Sequence, residues 1–233
     1  MQRGVMRQVK PTPNPMTTFL KNHRLRPHLF VGLAALIAAE ICLFVRVEPI
    51  YTYFYCFAWW SFILFMDGLV YWRKGNSLLV NRRREFLVLA FWSVAAWNVY
   101  EVFNFRIQNW YYINAPKELW VGHLHAALAF ATVLPGVFET AEFLESLGIF
   151  RKVRVPPWPV GFKVRTGIFL TGVLFLVLPL LWPQLFFPLV WGSMAFLMEP
   201  IVHARGGRSL LSDFQRGDPS RFLNLWFAGF VTG

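Results

Sequence analysis

Two groups of polar residues lie inside long apolar runs, where ionisable side chains are costly and need a reason to be there. The first comprises Asn98, Glu101 and Asn104, followed by Arg106, and then His123 and His125 in the next run. Glu101 is three residues from each asparagine, so all three share one helix face. Glu101 and His123 each lie about four residues from the connecting loop, roughly 6 Å deep at 1.5 Å per residue. A carboxylate and an imidazole at one depth could pass a proton, or serve as acid and base on a substrate. The same residues suit a structural network in which Glu101 pairs with Arg106 and the asparagines pin the hairpin. A metal fits poorly, because His123 and His125 are two apart on a helix and point about 200° apart. Glu40, in the first run, is placed to reach this layer from below.

The second group holds Asp67 and Glu199, each followed six residues later by an arginine, Arg73 and Arg205. Glu139, Glu142 and Glu145 form an i, i+3, i+6 stripe just after Pro135-Gly136, a kink signal. An acid at the centre of a span costs about 2.5–3.5 kcal/mol, so Asp67 and Glu199 are expected to face protein. Either they pair with basic residues at helix ends, or Asp67, Glu199, Glu139 and Glu142 build an acidic site for a cation or a basic substrate.

The two acids belong to a duplication. Trp59–Leu79 aligns without a gap on Trp191–Leu211, with nine of 21 positions identical. Trp59 meets Trp191, Ser61 meets Ser193, Asp67 meets Glu199, and Ser77-Leu78-Leu79 meets Ser209-Leu210-Leu211. After a four-residue insertion, Phe86-Leu87 aligns with Phe222-Leu223. The repeat unit is four helices. An even number returns the chain to the same side, so the halves should be parallel, about an axis along the membrane normal.

The elements that must carry these residues are membrane helices. Hydrophobic residues make up 56% of the chain and charged residues 15%, against about 25% charged in soluble domains. The apolar runs are near 20 residues long, matching a hydrocarbon core about 30 Å thick. Six full spans are expected, over 29–45, 50–72, 86–105, 119 to past 138, 166–182 and 185–204. A seventh run opens at Phe222. The sequence therefore predicts an all-α integral membrane protein with six full spans and a truncated seventh, built from two parallel four-helix repeats of which the second is incomplete. The run Phe222–Gly233 would cover roughly 18 Å, and the repeat leads us to expect about 53 further residues and one more hairpin. The organisation reads as a basic cytoplasmic tail (1–28), a first membrane repeat (29–150), a basic connector (151–165) and a second repeat (166–233).

Charge sets the orientation. Twenty of the 23 Lys and Arg residues fall in the tail and the alternate loops around Arg82, Arg154 and Arg208; the other side has only Arg46, Arg106 and Lys117. This positive-inside pattern puts the N-terminus in the cytoplasm and the protein in a cytoplasmic (inner) membrane. It also accounts for the net charge of +11 without nucleic acid. Asn109-Trp110-Tyr111-Tyr112 and Trp120 flank the opposite loop, where amphipathic rings prefer the head-group level. Pro156-Pro157-Trp158-Pro159 reads as a stiff extended connector, and Gly206-Gly207 as a turn.

Cys42 and Cys56 lie in apolar runs with no disulfide or metal spacing. No phosphate-cradling or hydrolase motif occurs, and no cofactor is indicated. The expected partners are the bilayer, a lipid-like or small-molecule ligand, and other subunits of a membrane complex. Three functions remain open. The protein binds or moves a small or lipid-like molecule between two pseudo-symmetric halves; it is an intramembrane enzyme on a lipid or isoprenoid-like substrate, using Glu101 with His123 or His125; or it is an accessory subunit.

Overall fold

A computed structural model describes residues 23–113, 116 and 118–232, and these are helical with no strand among them. The expected basic tail up to residue 22, and Lys117, lie outside the described residues. Helix α1 spans Pro27–Val45. Pro27 suits a first turn, where its missing N–H has no partner to lose. Arg46 closes α1 in the left-handed region at φ 58°. Helix α2, Phe54–Lys74, starts four residues later than the apolar run suggests. The Glu48 carboxylate holds the intervening turn by accepting the Thr52 N–H at 3.2 Å and its hydroxyl at 2.9 Å. Gly75, at φ 68°, ends α2.

Helix α3, Arg83–Ile107, extends past the expected 86–105 at both ends, its basic first turn continuing outside the apolar stretch. Helix α4, Leu119–Leu147, has 29 residues, about 43 Å of helix. It continues through Pro135, which donates no backbone hydrogen bond and disturbs the turn before it. A serine from α3 enters that turn. The Leu134 N–H donates to Ser93 Oγ at 2.9 Å, and the Ser93 hydroxyl donates to Phe130 O at 2.5 Å. The hydroxyl is thereby inserted into the helix ladder, a recognised origin of bending.

In the second half, α5 spans Phe162–Leu181. The expected continuous sixth span is two pieces, α6 (Pro183–Phe186) and α7 (Leu189–Ala204). They part at Phe187-Pro188, where proline supplies no N–H to continue the ladder. A short α8, Leu210–Gln215, was not anticipated; Ser209 caps it by accepting the Ser212 N–H at 3.1 Å. Helix α9 spans Ser220–Thr232. The proline-rich connector forms no regular element, as expected. It lies against the α8–α9 turn, with Val155 N–H to Gly217 O and Trp158 N–H to Phe214 O, both at 3.1 Å.

Among the described residues, six helices are long and apolar enough to cross a membrane, counting α6 and α7 together. Large apolar side chains such as Phe44, Leu87, Phe105 and Phe230 point outward, as helices facing acyl chains require. Helix α4 is the hub: α2, α3 and α9 all pack along it. Helix α1 rests on α2, and α5 on α7. Both of these crossings run over a glycine. A methyl group on Gly32 would sit 2.5 Å from Phe65 N and 2.8 Å from Ser61 O; one on Gly172 would sit 2.9 Å from Leu197 N and 3.0 Å from Phe196 C. Small residues of this kind let membrane helices approach backbone to backbone.

Candidate functional site

At the end of the bundle that carries the Trp110 loop, Glu101 is surrounded by aromatic donors. Its Oε1 accepts the Trp97 indole N–H at 3.1 Å, the Trp110 indole N–H at 3.0 Å, and the Tyr112 hydroxyl. Asn104 sets the loop that brings Trp110 back, donating to Trp110 O at 2.8 Å and accepting the Asn109 N–H at 3.0 Å. Trp191 of α7 completes the cluster. Its ring lies 4.9 Å from Trp110, 5.2 Å from Tyr100 and 5.9 Å from Trp97. This clasp joins the α5–α7 pair to α3. Burial, followed by the hydrogen bond to Glu101, pushes the Tyr112 phenol up to about 12.

The other residues of this layer do not join the carboxylate. Arg106 is exposed and forms no ion pair with Glu101. Asn98 donates to Val94 O at 2.8 Å on its own helix. His123 Nδ1 lies 2.6 Å from Leu119 O. His125 packs edge-on against Tyr53, ring centroids 5.2 Å apart, with Nε2 buried and unpartnered. Neither imidazole bonds Glu101, and the two have different neighbours, Leu119 O for His123 and the Tyr53 ring for His125. Glu40 is exposed on α1 with no partner among the described residues. Trp191 was legible only as an identity with Trp59 in the duplication.

At the opposite end, Asp67 is fully buried and holds the hairpin between α2 and α3. Its Oδ1 accepts the Leu79 N–H at 2.7 Å; its Oδ2 accepts the Ser77 hydroxyl at 2.8 Å and lies 3.0 Å from His28 Nε2. The basic partner is thus His28 of α1, not Arg73, which reaches Ser146 O at 3.2 Å. Glu199 has no basic partner among the described residues and accepts the Leu210 N–H at 2.7 Å and the Leu211 N–H at 3.4 Å. No hydrogen bond or ion pair joins Asp67 to Glu199. Glu139, on the neighbouring helix α4, is also fully buried, near enough to Asp67 for the two carboxyls to act on each other. Glu142, one turn on, binds Lys74 Nζ at 2.9 Å and Arg82 at 2.6 Å. Glu145 lies 3.5 Å from the same lysine and is mostly exposed.

Beside this acid stripe a cleft of about 750 Å³ opens between α3, α4 and α9. Its lining combines apolar Val88, Leu89, Trp92, Phe138 and Leu225 with basic Lys74, Arg82, Arg84, Arg208 and Arg221 and acidic Glu85, Glu142 and Glu145. Each of the three acids is ion-paired with Lys74 or Arg82. Lys74 and Arg82 are committed to Glu142, and Arg221 lies 2.7 Å from Asp213. Arg84 and Arg208 are exposed and have no carboxylate partner among the described residues. No sequence signal assembled this cleft, because its walls come from helices far apart in the chain. The chain matches no known family, curated protein or solved structure.

Proposed function

We propose that this is a polytopic inner-membrane protein, N-terminus in the cytoplasm, that binds an anionic, lipid-like molecule between its two halves. The observation that carries this reading is the cleft. Its lining joins apolar side chains to two arginines with no carboxylate partner among the described residues, Arg84 from the first half and Arg208 from the second, while its acids Glu85, Glu142 and Glu145 are held by Lys74 and Arg82. Guanidinium groups pair with phosphate and carboxylate oxygens in a planar, two-pronged way. Val88, Leu89 and Trp92 would lie along an acyl or isoprenoid chain.

Two parallel repeats are part of this proposal, and two observations support them. Asp67 accepts the Leu79 N–H, and Glu199 the Leu210 and Leu211 N–H groups, from the Ser-Leu-Leu segment eleven to twelve residues on. Gly32 packs on the backbone at Leu64 and Phe65, and Gly172 on that at Phe196 and Leu197, residues that pair in the gap-free alignment. A cleft walled by both halves is where such a design places a ligand.

The test is lipid retention by the purified full chain in nanodiscs. Phosphatidylglycerol is expected to be retained over phosphatidylcholine, with a preference that weakens as salt is raised. At about 1 kcal/mol per basic residue near a lipid surface, Arg84→Gln and Arg208→Gln should each lower the preference about fivefold. Equal retention of both lipids, or retention untouched in the double variant, would remove the proposal.

A further inference from the structure

The acid stripe contains an unpaired buried carboxyl that the lipid cleft does not use. Glu139 has no exposed surface, and neither of its oxygens has a donor among the described residues. The charged groups acting on it are Asp67 from α2, Glu142 from its own helix and Arg82 from the α2–α3 connection. Arg82 is itself bound to Glu142 and lies 3.6 Å from Glu85 of α3. From α1, His28 Nε2 lies 3.0 Å from Asp67 Oδ2. Helix α9 packs farther along α4, through Leu225 and Ala228 on Ala141 and Leu144, with its Arg221 held by Asp213.

Donor counting decides which acid is charged. Asp67 takes the Leu79 N–H and the Ser77 hydroxyl, and His28 Nε2 lies 3.0 Å away without hydrogen-bond geometry, so it is the better compensated of the two acids. Glu139 takes none. A second uncompensated carboxylate beside the first, out of water, is the least favourable arrangement available. One proton removes the problem, because a protonated acid can donate to its ionised neighbour. His28, Asp67 and Glu139 do not form a group suited to a metal ion.

We infer that Glu139 and Asp67 form a proton-binding site, with Glu139 carrying the proton and donating it to the Asp67 carboxylate. Release leaves two carboxylates and sends the proton toward water along the stripe. The exposure of that stripe rises from none at Glu139 to 17% at Glu142 and 57% at Glu145. Glu142 also lines the cleft, so proton and ligand would act on the same Arg82 and Lys74.

The experiment is infrared spectroscopy of the purified full chain at neutral pH. A protonated-carboxyl C=O band is expected, shifting on transfer to heavy water and absent in Glu139→Gln. The amide of that variant can make the same donation to Asp67, so it should fold and melt like the parent. In Asp67→Asn the band should persist but move to higher wavenumber, because its proton has lost a charged acceptor. That second variant keeps the idea testable if Glu139→Gln does not fold. Absence of the band at neutral pH, a band unmoved in Asp67→Asn, or a band abolished by adding Na⁺ or K⁺ at constant pH would each overturn the proton site.

Discussion

Replacing Gly32 with alanine probes a helix crossing in which the backbones of α1 and α2 meet directly. The added methyl would stand 2.5 Å from Phe65 N, 2.8 Å from Ser61 O and 2.9 Å from Leu64 C, all backbone atoms that no rotamer change can move. Ordinary contact begins near 3.4 Å, so α1 must back away from α2 by about 0.9 Å. Overpacking of this kind costs about 1–3 kcal/mol, or about 5- to 150-fold in the ratio of folded to unfolded protein. Gly172→Ala should cost less. One of its three close neighbours is the Leu197 side chain, which can swing, and its backbone neighbours start at 2.9 Å. Gly167→Ala meets nothing within 4 Å and should be neutral or stabilising by about 0.5–1 kcal/mol, since alanine favours a helix over glycine. Thermal melts in a mild detergent, followed by size-exclusion chromatography, should give the order Gly32→Ala, Gly172→Ala, Gly167→Ala from least to most stable. A Gly32→Ala protein melting with the wild type, or a Gly167→Ala protein falling as far, would refute the packing argument.

Ser93→Ala strips the hydroxyl from the Pro135 turn and leaves Leu134 N–H and Phe130 O without it. The expected loss is about 1–3 kcal/mol, and an unchanged melting temperature would reject the bridge. Alkaline absorbance titration should find one tyrosine ionising near pH 12, and Tyr112→Phe should remove that step. Because the folded value is raised, Tyr112's contribution to stability is complete below its ordinary value of about 10. It is lost as pH climbs through about 12. Asp67→Ala orphans the Ser77 hydroxyl and the Leu79 N–H and should lower the melting temperature more than Asp67→Asn, which keeps an acceptor. In a Cys42→Ser, Cys56→Ser background, an impermeant thiol reagent added outside should reach Ile113→Cys and miss Arg84→Cys. The reverse pattern would invert the proposed orientation.

The helices were largely legible because each is an apolar run bounded by basic or aromatic residues, and such runs need no tertiary information to be read. The errors sit where side chains intervene: Glu48 delays α2 by holding Thr52, and Pro188 splits the sixth span. The importance of Asp67 was readable from its cost in hydrocarbon, and its position beside the Ser-Leu-Leu segment from the duplication. Its neighbours were not, because His28 and Glu139 reach it from helices remote in sequence. The Glu101 prediction shows the same limit. A carboxylate near an arginine and two histidines suggests ion pairs, yet two indoles and a phenol take it. A serine in an apolar run, such as Ser93, carries no signal until the helix it repairs is placed beside it.

The central place of α4 has a consequence for how the protein is made. Its Ala141–Leu144 face is covered by α9, which begins and ends far downstream. About 85 residues separate Leu147 from Thr232. Ribosomes add roughly 5–20 residues per second, so this face of the hub stands open for about 4–17 seconds after α4 has been synthesised. During that interval the stripe of glutamates beside it would meet lipid or the insertion machinery before it meets its own chain. A nascent chain stalled before α9 should therefore be held longer by the insertion machinery, or degraded sooner, than one stalled after it.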